Sequence, residues 1–154
     1  AHYTARLRES LASKGVTSIV FTTTAAATQM NHDQVKGVVD NWQLSSLLPL
    51  IQAIDQAKPD ILHIQHAAGT YDFERAIFLL PLLLRLSGWS APIVTTVHEY
   101  GWWEWQPKWI PAALLERLKN WGQQRGWWDR EDGFLLTKSN AIITTTAQLE
   151  QTIL

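Results

Sequence analysis

The sequence predicts an α/β fold, a three-layer sandwich in which a mostly parallel sheet carries helices on both faces. Three observations support this. Short β-branched and apolar runs alternate with longer segments of helical periodicity, in the order α-β-β-α-β-α-β-α-β-α; such alternation is the mark of strands joined by helical crossovers. Residues 93–97 form one continuous apolar and β-branched run, as expected of a strand covered on both sides. The chain has 154 residues, 46% apolar and 18% charged, which suits one globular domain with a sizeable core.

Taken in order, residues 2–13 place Tyr3, Leu7 and Leu11 at helical spacing, and Gly15 supplies a stop. Residues 17–23 are β-branched and read as a strand, 25–33 as a small, polar loop, and 35–39 as a short second strand. Residues 44–57 put Leu47, Leu48, Ile51 and Ile54 on one side of a helix. Ser45 and Ser46 are candidate caps, and Pro49 is tolerated in the first turn. Lys58-Pro59-Asp60 breaks that helix before a strand over 61–65. A helix over 73–87 is expected to kink at Pro81. After the strand at 93–97, residues 110–125 form a helix whose Ala113, Leu114, Leu118 and Trp121 have core-like spacing. A last strand over 141–145 and a helix from Ala147 complete the pattern.

Composition removes several function classes. A formal net charge of -1 argues against a nucleic-acid binder held by bulk positive charge. With no cysteine, neither a disulfide scaffold nor a thiolate metal site can form. The longest apolar run, 76–84, falls far short of the ~20 residues that cross a bilayer and reads as a buried helix. The opening residues resemble no signal peptide, so a cytoplasmic location is expected. The chain opens on a helix and lacks an initiator Met, so its true N-terminus is expected to lie upstream.

In parallel α/β sheets, ligands bind beyond the carboxyl ends of the strands, and two of those ends are rich in polar groups. The first is His63-Ile64-Gln65-His66. Alternation along a strand sends His63 and His66 to opposite sides, which makes them a poor metal pair. His63 reads as a satisfied core histidine; Gln65 and His66 stand at the mouth, where binding and packing compete as explanations. The second is Val97-His98-Glu99-Tyr100-Gly101, with His98 placed to donate to a substrate hydroxyl or to move a proton near neutral pH. The sequence holds no Gly-x-Ser-x-Gly, His-Glu-x-x-His, Walker-type or Gly-x-Gly-x-x-Gly motif.

These residues carry a family resemblance. Lys58-Pro59-Asp60-Ile61-Leu62-His63-Ile64-Gln65-His66 resembles a strand of the family 4 glycosyltransferases, whose GT-B fold faces two Rossmann-like domains across a cleft. Pro92-Ile93-Val94-Thr95-Thr96-Val97-His98-Glu99 resembles the next strand of that family, and Asn140 to Thr146 a later one. Ala1-His2-Tyr3 through Leu11 is similar to the first helix, which usually follows a strand and a Gly-Gly loop, so the resemblance implies that this strand is missing from the sequence. The resemblance implies one Rossmann-like half of a GT-B fold, the N-terminal acceptor-side domain. A second domain, not in this sequence, would bind the nucleotide-sugar donor and carry a Glu-x7-Glu motif. It further implies retaining transfer to a glycan or lipid-linked acceptor, with no metal or other cofactor. His98 matches the family histidine at the reaction centre and is the expected catalytic group. Gln65, His66, Glu99, Tyr100, Trp102, Trp103, His2 and Tyr3 are the expected substrate-binding residues. A fragment with neither the donor domain nor the Gly-Gly loop is expected to be inactive alone.

Seven of the nine tryptophans lie between Trp102 and Trp128. Basic residues are interleaved with them, among them Lys108, Arg117, Lys119, Arg125 and Arg130. Aromatic faces suit a sugar platform, and basic residues among aromatics suit a membrane surface as a further partner. Packing competes with both for the helix at 110–125. Two readings from other classes stand beside the transferase: a non-catalytic sugar- or nucleotide-binding module, and a peripheral membrane-binding domain.

Overall fold

The computed structural model describes residues 2–100 and 109–153. The chain divides into two compact units, Ala1–Asn41 and Trp42–Leu154. Among the described residues the strands form two sheets, and every strand pair is parallel. This is an α/β fold of the Rossmann-like class.

The first unit holds α1 (His2–Ala12), β1 (Val20–Thr23), α2 (Thr24–Met30) and β2 (Val35–Val39). Gly15, at φ 78°, ends α1 as expected, and the amides of Gly15 and Val16 satisfy the carbonyls of Ala12 and Leu11 at 3.0 Å each. Arg8 ties this helix to the strands by donating to Ser18 and Gln34. Strand β1 is shorter than expected, since its ladder begins where the Val20 amide meets the Gln34 carbonyl. The loop expected over 25–33 is instead mostly helix. Thr23 Oγ1 caps it by accepting from the Ala26 amide, Ala25-Ala26-Ala27 favour it, and Asn31 ends it in the left-handed region at φ 41°. Helix α2 passes so close over β2 that a Cβ at Gly37 would sit 2.5 Å from the Thr24 backbone.

In the second unit the sheet order is β3-β4-β5, from Leu62–His66, Ile93–Val97 and Ala141–Thr144. Central β4 is the most buried of the three, as its composition predicts. Helix α3 (Leu47–Ala57) buries Leu47, Leu50 and Ile54, while Leu48 is exposed, so the apolar stripe lies one row away from the expected one. Ser46 makes no side-chain cap; a 3-10 turn over Leu44–Ser46 leads into the helix instead. The expected kinked helix over 73–87 is two pieces: a 3-10 turn, Ala76–Leu79, followed by α4 (Leu80–Leu86). Pro81 falls in the first turn of α4, where its missing N–H costs nothing, so it starts a helix and does not kink one.

Ile77, Phe78, Leu80 and Leu84 join Ile64, Ile93, Val97 and Leu135 in the core. Each such side chain contributes roughly 1.5–3 kcal/mol on burial. Helix α5 (Ala112–Gln124) is present, but Leu114, Leu118 and Trp121 are exposed and Leu115, Lys119 and Gly122 are buried, which reverses the expected core face. Helix α6 (Phe134–Thr137), which buries Leu135 and Leu136, was not expected, and α7 (Ala147–Ile153) follows β5. Asn140 fastens β5 to β4: its amide donates to the Ile93 carbonyl at 2.7 Å, and its Oδ1 accepts from the Ile93 amide and from Arg85.

Candidate functional site

Strands β3 and β4 pair with Leu62 opposite Ile93 and His66 opposite Val97. In a parallel pair, opposed residues share a face and neighbours along the strand alternate. One face therefore carries Ile64, His66, Thr95 and Val97, and the other carries His63, Gln65, Val94 and Thr96. His98, one step past β4, continues the second set, and its amide donates to the His66 carbonyl at 2.9 Å.

On that second face four polar side chains form one network. His98 Nε2 lies 3.0 Å from Gln65 Oε1, so the imidazole donates and the carboxamide accepts. The Gln65 amide group lies 2.9 Å from His63 Nε2 and 3.4 Å from Thr96 Oγ1. Thr96 Oγ1 closes the set at 2.7 Å from His63 Nε2. Gln65 thus bridges two imidazoles and fixes the tautomer of the outer one, with the proton on Nε2 of His98. Burial pushes the pKa values of both histidines below the ordinary imidazole range; positive charge on His98 pushes His63 further down, and Glu99 partly opposes the shift at His98. Both rings are therefore neutral at pH 7. A neutral, oriented imidazole at a strand mouth can hold a hydroxyl or relay a proton, and it adds no fixed charge.

His66 departs from expectation. Strand alternation puts it on the face opposite Gln65, but it does not stand at the mouth: it points into the core, 1% exposed, between Tyr71 and Phe78, at ring-centroid distances of 6.4 and 5.1 Å. Neither ring nitrogen has a hydrogen-bond partner. Burial drives its pKa down to about 4 against a weaker upward pull from Glu99. The companion of Gln65 is His63, two residues back. His63 is satisfied, as expected, but it is half-buried and belongs to the network, not to the core.

Glu99 is exposed beside His98. Tyr100 is half-buried, and its hydroxyl lies 3.3 Å from both carboxylate oxygens of Asp129. That carboxylate also accepts the amides of Glu131 and Asp132 at 2.8 Å each, which locks a tight turn. Burial, followed by the charge of Asp129, pushes the Tyr100 hydroxyl well up, so the phenol stays protonated. Of the remaining expected site residues, Trp102, Trp103 and the side chain of His2 lie outside the described residues. Tyr3 is about half exposed on α1 of the first unit.

The sequence reading missed Thr96 and Asp129. Thr96 was legible from its spacing, two before His98, which is the same alternation that links His63 to Gln65. Asp129 carried no such signal, because it reaches Tyr100 through a turn far along the chain. Among the described residues, no group of three or more His, Asp or Glu side chains could hold a metal ion. No described helix is long and apolar enough to cross a membrane.

Parallel strands with helical crossovers define a Rossmann-like α/β domain, and its polar network lies at the carboxyl ends of β3 and β4. A family model, the glycosyl transferase 4-like domain, matches residues 1–154. The chain belongs to that family. Comparisons with curated proteins and with solved structures find no match.

Proposed function

We propose that this domain is the acceptor-side half of a retaining glycosyltransferase, which moves a sugar from a nucleotide-sugar to a glycan or lipid-linked acceptor. A second Rossmann-like domain would hold the donor. The observation that carries this reading is the His98–Gln65–His63–Thr96 network at the carboxyl ends of β3 and β4. Within it, His98 is the group offered to the reacting sugar. Its neutral ring suits hydrogen bonding to a hydroxyl and positioning for transfer. Gln65 is a positioning residue that holds the ring plane of His98. Glu99 and Tyr100 border the same mouth, and Asp129 steadies Tyr100. The chemistry needs no metal from these residues, because leaving-group charge can be met by basic groups and helix N-termini of the donor side.

The test is His98→Ala in the full-length polypeptide, assayed against a panel of nucleotide-sugars with sugar transfer as the readout. We expect transfer to fall by about 100-fold with an unchanged melting temperature. Undiminished transfer would remove His98 from the reaction. Donor binding with no turnover by the unmodified protein would favour a non-catalytic sugar-binding module.

A further inference from the structure

Helix α5 faces the wrong way for packing alone. Its inward line is Leu115, Lys119 and Gly122. Two leucines and a tryptophan stand outward at helical spacing, with Leu114 58%, Leu118 38% and Trp121 38% exposed. A helix stabilised only by its own domain would turn such a stripe inward. The patch continues past the helix, because Trp127, 49% exposed, meets the Trp121 ring edge-on at 4.7 Å. Trp109, just before the helix, is 79% exposed.

The charged side chains that border the stripe on α5 and at its C-cap are arginines. Arg117 is exposed, one position before Leu118, and the Arg125 guanidinium lies 4.4 Å above the Trp121 ring. The only carboxylate between Trp109 and Trp128 is Glu116, and it is engaged by Arg130 at 2.6 Å and Lys119 at 3.8 Å. An apolar stripe of leucine and tryptophan flanked by arginines matches the boundary between acyl chains and phosphate headgroups. The aromatic rings settle at the headgroup level, and the guanidiniums meet phosphates.

We propose that the outward face of α5, with Leu114, Leu118, Trp121 and Trp127 as its apolar part and Arg117 and Arg125 as its cationic flanks, seats this domain on an anionic lipid surface. The contact is interfacial and reversible. It uses none of the residues of the strand-end network, so it stands or falls separately from the proposed transfer reaction.

The test is co-sedimentation of the full chain with phosphatidylcholine vesicles containing about one third phosphatidylglycerol, at low salt. Binding is expected with these vesicles, weaker binding at higher salt, and little with phosphatidylcholine alone. Leu114→Ser combined with Arg117→Ser alters two exposed side chains and should weaken binding by about tenfold or more. An unchanged melting temperature would show that the variant is folded. Lys14→Ser, an exposed basic residue of the other unit, should bind as the unmodified chain does. A chain that stays in the supernatant with anionic vesicles, or a double variant that binds undiminished, overturns the proposal. Self-association abolished by Leu114→Ser, without vesicle binding, would assign the face to a second copy of the chain and overturn it equally.

Discussion

Gln65 governs the state of His98, because its carboxamide accepts from one imidazole while its amide group faces the other. Replacing it by a carboxylate tests that control. Gln65→Glu puts a negative charge beside both rings, favours their charged forms and raises their pKa values. If the neutral His98 is the working form, activity at pH 7 should fall by about tenfold and recover at higher pH. A pH–activity profile alongside an NMR titration of the ring protons reads both effects, and a profile that does not move would break the link. His66 has the opposite surroundings, apolar and without a hydrogen-bond partner. Its pKa lies at about 4 in the folded chain, below the ordinary 6.5 of an unfolded histidine. The unfolded chain therefore binds more protons between those values. The stability contributed by neutral His66 is complete above pH 6.5 and drains away as the pH falls toward 4, by up to ~1.4 kcal/mol per pH unit. Urea midpoints at pH 7.5 and 4.5 should show a smaller drop for His66→Leu than for the unmodified chain. Equal drops would place the acid sensitivity elsewhere, for instance at His63 and His98, whose pKa values are lowered too.

At the scale of elements, legibility follows how locally each one is decided. Strands at 35–39 and 93–97 stand where the sequence puts them, because β-branched runs between polar breaks need no distant partner to be recognised. The helix at Thr24–Met30 was hidden by its small polar composition, although Thr23 before three alanines is a capping signal. Pro81 was misread because a proline in a long apolar run looks like a kink until the true start of the helix is known. The facing of α5 could not be read at all, since periodicity gives the stripe but not which side the rest of the fold covers. That facing is set partly by Gly122, where a Cβ would lie 2.1 Å from the Trp128 ring. Trp128 in turn donates its indole N–H to the Lys119 carbonyl at 3.2 Å and meets Phe134 at 6.0 Å. Gly122→Ala should expel that ring and cost about 1–3 kcal/mol, seen as a lowered melting temperature with altered tryptophan emission. An alanine variant as stable as the original would mean that Trp128 does not fix the helix.

Across the whole molecule, the class of fold and the family were legible because helix–strand alternation and the order of short motifs run the length of the chain, and the family match covers the same span. The site was legible only in part. His98 and Gln65 announce themselves as polar residues at strand ends. That His63 shares a face with Gln65 follows from strand alternation, but their meeting with Thr96 and His98 depends on the register of β3 against β4, and the contact of Tyr100 with Asp129 depends on a turn that closes late in the chain. Pairing distance along the chain also has a consequence for how the molecule assembles. Val20 pairs with Val35, Leu62 with Ile93, and Val94 with Ala141. The second span is about twice and the third about three times the first, and each longer loop costs more entropy to close, ~1 kcal/mol between the extremes. Strand β5 closes the longest of these loops and has an exposed burial pattern, with Ile142 and Ile143 38% and 43% exposed. It is therefore expected to be the last strand to find its place during folding and the first to come away in a local opening. The Asn140 contacts that start its ladder act as a latch on that order of events.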